Sequence, residues 1–191
     1  MEEMRLVLNQ RDEQETAMRR IALITDREIL GTDGLSSAPP HVKARAILRN
    51  PRGELALTHE AAFGIYVLPG GALEDGESVE EALRRELREE TGCRVLRCQE
   101  LGCVEENRAH SDSAHLSCYY VVDTDTETFS PSLTAEEERA GVTVAWVPFE
   151  EARRLITEER CGTAQQKFLR ARDLAALAAY EEWLRNGQKP G

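Results

Sequence analysis

The stretch GALEDGESVEEALRRELREETGC, Gly71–Cys93, decides how the rest of the chain is read. Its centre has the spacing of a helix over Ser78 to Thr91. Ser78-Val79-Glu80-Glu81 forms a capping box, and Gly92 stands where a left-handed C-terminal glycine belongs. With Val79 set at zero and about 100° per residue, Ala82, Leu83 and Leu87 fall at roughly −60°, +40° and +80°. That arc is the buried face. Glu86 and Glu90 fall inside it, near about −20° and +20°, and Glu89 lies at its edge near about −80°. Spacings of i, i+3 and i+4 place all three carboxylates within one turn.

Such a cluster needs a counter-charge. Two carboxylates ~4 Å apart repel by roughly 4 kcal/mol at an effective dielectric of 20. Two readings follow from the spacing alone. In one, the glutamates snorkel outward and pair with Arg84, Arg85 or Arg88. In the other, they hold a hard cation, and an all-oxygen donor set without a Cys or His pattern favours Mg²⁺ or Mn²⁺ over zinc. The approach to the helix favours the second. A strand enters Pro69-Gly70-Gly71, and Ala72 to Glu77 leads to the helix N-terminus. Glycines let backbone groups come close to a metal or phosphate, and a helix N-terminus favours an anion.

Outward from this stretch, Val42, Ala44, Ala46 and Leu48 alternate with Lys43, Arg45 and Arg49, which predicts a strand. Asn50-Pro51-Arg52-Gly53 is a turn to a partner strand over Glu54 to Thr58, and Ile65 to Leu68 is a further short strand. Strand-like runs follow at Arg94 to Val104, His115 to Asp123 and Val142 to Val147. Helices are predicted over Pro148 to Glu158 and Thr163 to Arg185, the latter opened by a Thr163…Gln166 capping box. The order makes a mixed α/β domain over 41–191. Residues 1–40 read as an N-terminal arm attached to that domain, with a strand and turn over Arg20 to Leu30 and a loop over Gly31 to Pro40; packing of the arm on the domain as strand or helix is the alternative.

The 191 residues suit one domain with its own core. Lys plus Arg number 24 against 35 Asp plus Glu, a net charge of −11, which argues against binding extended nucleic acid. A bound cation reverses the local field for a small anionic substrate. No apolar run is long enough for a signal peptide or membrane span, so no membrane partner and a cytoplasmic location are expected. Five cysteines without CxxC spacing predict neither a disulfide framework nor a zinc site. Surface charge is the more economical reading of Lys43 and Arg45, with substrate phosphates the alternative. Packing is likewise favoured over base stacking for Trp146 and Trp183, and His110 and His115 read as structural. The apolar positions of the last helix, Phe168, Leu169, Leu174, Leu177, Tyr180 and Leu184, are expected to pack on the sheet; a homodimer contact is the lesser alternative.

Gly71, five residues, Glu77, seven residues, then Arg85-Glu86-Leu87-Arg88-Glu89-Glu90-Thr91-Gly92-Cys93 has the form GX5EX7REUXEEXGU. On it the chain resembles the Nudix hydrolases, of the small bacterial MutT-like type. The one mild departure is Cys93, where a larger aliphatic is commoner. The likeness extends over His41 to about Tyr180, through Ala44-Arg45-Ala46-Ile47, the Leu68–Gly71 entry and the Ala145-Trp146-Val147-Pro148 strand. The resemblance implies an α/β/α sandwich around a mixed β-sheet, with the box as loop–helix–loop. It implies hydrolysis of a nucleoside diphosphate linked to another group X, by attack of water at phosphorus. It implies metal ligands at Glu86, Glu89, Glu90 and the Gly70 carbonyl, an orienting role for Arg85, and a bracing role for Glu77. A further glutamate from outside the box would come from Glu136, Glu137 or Glu138, with Glu137 preferred. Arg45 and Gly71 are the candidates for contact with a small phosphorylated substrate, and Gly92 is structural. The subclass marks for ADP-ribose, NADH and coenzyme A hydrolases are absent, and the tyrosine that marks dinucleoside polyphosphate hydrolases is not at its expected offset. X is therefore open. The rival reading is a Nudix-fold nucleotide-binding or regulatory protein that has lost catalysis.

Overall fold

The protein is described here as a computed structural model covering residues 18–125, 131–133, 135, 139 and 141–187. Its strands are β1 (Arg20–Thr25), β2 (Pro40–Arg49), β3 (Leu55–Glu60), β4 (Ile65–Val67), β5 (Gly70–Ala72), β6 (Arg97–Arg108), β7 (Ser113–Asp123) and β8 (Val142–Val147). Its helices are α1 (Asp26–Leu30), α2 (Val79–Thr91), α3 (Phe149–Glu158) and α4 (Ala164–Arg185). The sheet runs β1-β6-β7-β2-β3-β4, with β5 added to β2 and β8 to β3. β2 pairs in parallel with β7 over its whole length, and β6 and β7 form an antiparallel hairpin, so the sheet is mixed as expected.

Two apolar clusters lie on opposite faces of the sheet. On one, Ile47, Tyr119 and Val121 meet Phe168, Leu177 and Tyr180 of α4 and Ile156 of α3. On the other, Ala44, Ala46, Leu48, Cys118 and Val122 meet Ala82, Leu83 and Leu87 of α2. The layers are therefore α/β/α. Burying Leu83 and Leu87 completely stabilises the α2 face by roughly 1.5–3 kcal/mol for each side chain, which offsets part of the cost of the glutamates beside them. Trp146 and Trp183 are half-buried against these clusters, as expected of packing residues.

One reading needs correction. The alternation in β2 suggested a half-exposed strand with Lys43 and Arg45 on the surface. β2 is instead covered on both faces, by α2 and by α4, and Arg45 is only 8% exposed. Burial, with Arg45 next in effect, pulls the Lys43 ammonium down to about 8. The period-2 pattern identified the strand, but it cannot show that a second layer closes over the polar side. The Arg20 to Leu30 segment of the arm packs on the domain as a strand and a short helix. β1 pairs in parallel with β6 from Arg20↔Cys103 to Thr25↔Asn107, and α1 follows under a Thr25–Glu28 capping box.

The five cysteines are free, and Cys93, Cys103 and Cys118 are buried. Burial pushes the Cys103 thiol up to about 11 and that of Cys118 to about 12, which leaves both unreactive. Among the described residues no helix is long and apolar enough to cross a membrane.

Candidate active site

The chain enters the site from β4 through Leu68 and Pro69 into β5, where Gly70 and Gly71 pair with Arg45 and Ala44. Gly70 has φ +125°, a backbone that L side chains rarely adopt. A Cβ there would stand 2.2 Å from the Ala44 carbonyl oxygen, so no other residue allows β5 to lie this close to β2. Gly71 is required for a different reason. A Cβ there would stand 2.3 Å from Glu86 Oε1 and 2.4 Å from its Cδ. The missing side chain is the space the Glu86 carboxylate occupies.

α2 begins as the sequence indicates. Ser78 caps it, Glu81 reaches back to the Ser78 amide at 2.9 Å, and Gly92 closes it with φ +68°. From this helix Arg85 lies across the loop and ties the acidic groups together. Its Nε and NH2 both donate to Glu77, each at 2.9 Å, a bidentate fork. NH2 also donates to the Ala72 carbonyl at 2.9 Å. NH1 donates to Glu86 Oε1 at 2.9 Å and to Glu89 Oε2 at 3.2 Å. Glu90 turns the other way and accepts the Gly70 N–H at 2.8 Å. Glu77, Glu86, Glu89, Glu90, Gly70 and Gly71 are thus drawn together around one guanidinium and one backbone amide.

The electrostatics separate these carboxylates. Hydrogen bonds from Arg85 hold Glu77 below the ordinary carboxylate range. Burial pushes Glu86 above it, against the pull of Arg85 and with a smaller push from Glu89. The side chain of Glu86 is 14% exposed and that of Glu89 44%. Neither reading from spacing holds alone. Glu86 and Glu89 pair with an arginine, yet Glu86 stays on the buried side and does not snorkel out.

A divalent cation fits this donor set in kind. The oxygens are hard, and Glu86 Oε2 and Glu89 Oε1 have no hydrogen bond among the described residues. In arrangement the set is not closed. No three His, Cys, Asp or Glu side chains among the described residues converge as a ready metal cluster, because Arg85 NH1 stands as the cation that Glu86 and Glu89 share. Small side-chain rotations are required to bring them onto a common ion.

Arg45 also reaches the site. Its NH1 donates to the Leu68 carbonyl at 2.8 Å, which ties β2 to the strand that delivers Gly70. Glu136, Glu137 and Glu138, the candidates for an additional glutamate, lie outside the described residues. His110 is structural, with Nδ1 2.8 Å from the buried Asp26. His115 sits next to His41, and burial draws its ring down to about 4.

Arg172 and Asp173 on α4 are absent from the sequence-based candidates. Arg172 is 1% exposed and Asp173 fully buried. Asp173 accepts from Arg172 Nε at 2.8 Å, from Tyr119 Oη at 2.6 Å and from the Leu68 N–H at 3.0 Å. Burial works against its charge, and Arg172, joined by Arg45 and the Tyr119 hydroxyl, holds it below the ordinary carboxylate range. A signal was present in the sequence. Phe168, Arg172 and Ala176 follow at i, i+4 and i+8 on the buried stripe of α4, the same conflict with amphipathicity that exposes Glu86 on α2.

One prediction follows from the loop. Gly71→Ala displaces the Glu86 carboxylate and nothing in the backbone. Its expected effect is a loss of activity of about 100-fold with a melting temperature within a few degrees of the parent. Steady-state kinetics and a thermal melt on the same preparation check it, and an active Gly71→Ala protein would show that the position of Glu86 is immaterial.

The family model for the NUDIX domain matches residues 39–170. Solved structures share the fold. The E. coli ORF135 protein is 21% identical with a TM-score of 0.57, covering 81% of this chain and 98% of its own. A NUDIX hydrolase from Nitrosomonas europaea is 23% identical with a TM-score of 0.53, covering 70% of this chain and 88% of its own. The glycine entry, the capped helix and its glutamates lie within the matched span, and with that match this chain belongs to the NUDIX domain family.

Proposed function

We propose that the protein hydrolyses the diphosphate linkage of a nucleoside diphosphate joined to X, or of a related small molecule, with Mg²⁺ or Mn²⁺ as cofactor. One observation carries this reading. Glu86 and Glu89 share a single arginine nitrogen while Glu90 is bound to the Gly70 amide, so acidic groups from one helix turn are held at a glycine loop.

Glu86, Glu89, Glu90 and the Gly70 carbonyl would hold the cation. When bound, it neutralises the diphosphate and makes a coordinated water more acidic. Arg85 orients Glu86, and Glu77 holds Arg85 in turn by the fork. Gly71 leaves room for the Glu86 carboxylate and lets the backbone come close to the substrate. Glu86 is suited to take a proton from the attacking water, because burial lifts its affinity for one. Glu137 is the alternative for that task. Arg45 supplies a positive charge toward the substrate phosphates. Attack of water at phosphorus breaks one P–O bond of the anhydride, and the bridging oxygen leaves with the other fragment.

The test is a release assay over nucleoside triphosphates, sugar nucleotides and dinucleoside polyphosphates with Mg²⁺, comparing the parent protein with Glu90→Gln. A variant as active as the parent would overturn the assignment. Inactivity of the parent on all substrates, with nucleotide binding intact, would favour the non-catalytic reading. Metal linkage gives an independent check. Millimolar Mg²⁺ or Mn²⁺ is expected to raise the melting temperature, and Glu89→Gln to remove most of that rise. An equal rise in both proteins would place the ion elsewhere.

A further inference from the structure

Arg45 is a buried guanidinium whose donors are largely unused. Among the described residues its hydrogen bond to the Leu68 carbonyl stands alone, it forms no ion pair, and its Nε is buried without a partner. A buried charge is ordinarily paired, since desolvation of an unpaired ion costs several kcal/mol. Burial, and next Arg172, pull the Arg45 guanidinium down, so its surroundings fail to compensate it.

The residues around these donors line a cavity. Arg45, Thr58 and Arg172 belong to the buried part of its wall, and Gly70 and Glu90 of the glycine loop and α2 belong to the same wall. Thr58 Oγ1 is also buried and unpartnered. Of the charges on this wall, Arg172 is balanced by Asp173, Glu90 is engaged with the Gly70 amide, and Glu60 stands as a further carboxylate. Arg45 has the Leu68 carbonyl but, among the described residues, no charged partner at hydrogen-bond distance. The cavity volume is 230 Å³. Pockets for whole small molecules run to roughly 300–1,000 Å³, so this space suits a group the size of a phosphate with its waters.

We propose that this cavity is a subsite for a phosphate oxyanion lying beyond the scissile linkage, held by Arg45, Arg172 and Thr58. Resting on the reading of the site as a diphosphate hydrolase, it narrows the substrate class to molecules bearing at least one further phosphate, either in the polyphosphate chain or on X. Arg172 comes from α4, so the preference depends on this C-terminal helix as well as on β2 and β3. Arg45 keeps donors that no described residue uses, Arg172 keeps NH1 beyond its fork to Asp173, and Thr58 offers a hydroxyl.

The experiment uses two charge-preserving variants, Thr58→Val and Arg172→Lys, with inorganic phosphate as probe in metal-free buffer. Thr58→Val removes a hydroxyl that has no partner, so its fold is expected to be intact, and circular dichroism checks both variants. Calorimetric titration is expected to show phosphate binding to the parent, about tenfold weaker binding to Arg172→Lys, and weaker binding to Thr58→Val. In turnover, KM for substrates with a further phosphate should rise about tenfold in Arg172→Lys with kcat within about twofold. KM for a diphosphate with an uncharged X should not move. Equal phosphate affinity in parent and variants would overturn the inference, as would an equal KM rise on both substrate types. Variant-dependent phosphate binding without the KM difference would leave a site for free phosphate and overturn the substrate assignment. If the parent cleaves no diphosphate but its phosphate binding depends on Arg172 and Thr58, the hydrolase reading falls and the subsite stands. Glu89→Gln closes the comparison. It should lose turnover while keeping phosphate affinity, and loss of both would mean the cavity is not separate from the carboxylate site.

Discussion

Glu86→Gln should lower kcat by about a thousandfold on every diphosphate the protein accepts, with no loss of folding stability in metal-free buffer. The rate effect follows from the position of the carboxylate. It stands where a Gly71 side chain would be, bonded to Arg85 NH1 and partly withdrawn from water. Whether it holds the cation, takes the proton or does both, glutamine cannot replace it, and loss of a positioned base alone is worth roughly 10²–10⁴-fold. Stability should move the other way. Burial disfavours the charged form of Glu86, and a neutral amide of the same shape still accepts from Arg85 while avoiding that cost. Single-turnover kinetics and a thermal melt in chelator are the measurements. A variant that is inactive because it unfolds would refute the placement, as would one that retains turnover.

Arg85→Ala should have the widest effect of any substitution in the loop. Arg85 donates to Glu77, Glu86, Glu89 and the Ala72 carbonyl, and its side chain is only 23% exposed. Its removal leaves three carboxylates near one another without their shared cation. Solvent reaches Glu89, so the penalty is moderated there, and a net destabilisation of about 2 kcal/mol is expected. Activity should fall at least as far as in Glu86→Gln, because both the loop and Glu86 lose their support. Arg85→Lys is expected to recover part of the stability and little of the rate, since an ammonium cannot make the fork to Glu77 while also reaching NH1's two partners. Denaturant melts paired with kcat for the two variants test this. Full activity in Arg85→Lys would show that charge alone, without the planar fork, suffices.

The carboxylate helix was legible because local rules conflict there. A sequence that places Glu86 and Glu90 at the centre of an apolar arc, between a capping box and a C-terminal glycine, identifies both the helix and its anomaly. The arginine brace was only partly legible. Arg85 and Glu89 are one turn apart and must be neighbours, whereas Glu77 reaches Arg85 only because the loop folds back along α2. The cavity was not legible in the strand pattern. Thr58, Arg45 and Arg172 lie on β3, β2 and α4, and no periodicity within one element relates them.

Gly71 to Cys93 by itself determined the capped helix and its glycine-rich entry, because capping, helix period and glycine conformation act over a few residues. The helix period put Glu86 inside the apolar arc, and the tertiary structure decided that it stays on the buried side. Only the tertiary structure decided that β2 is covered twice, so that Arg45 is a buried cation rather than a surface charge, and that α4 brings Arg172 to it. Burial of that kind depends on which layers close over a strand, and long-range packing sets this where local spacing cannot.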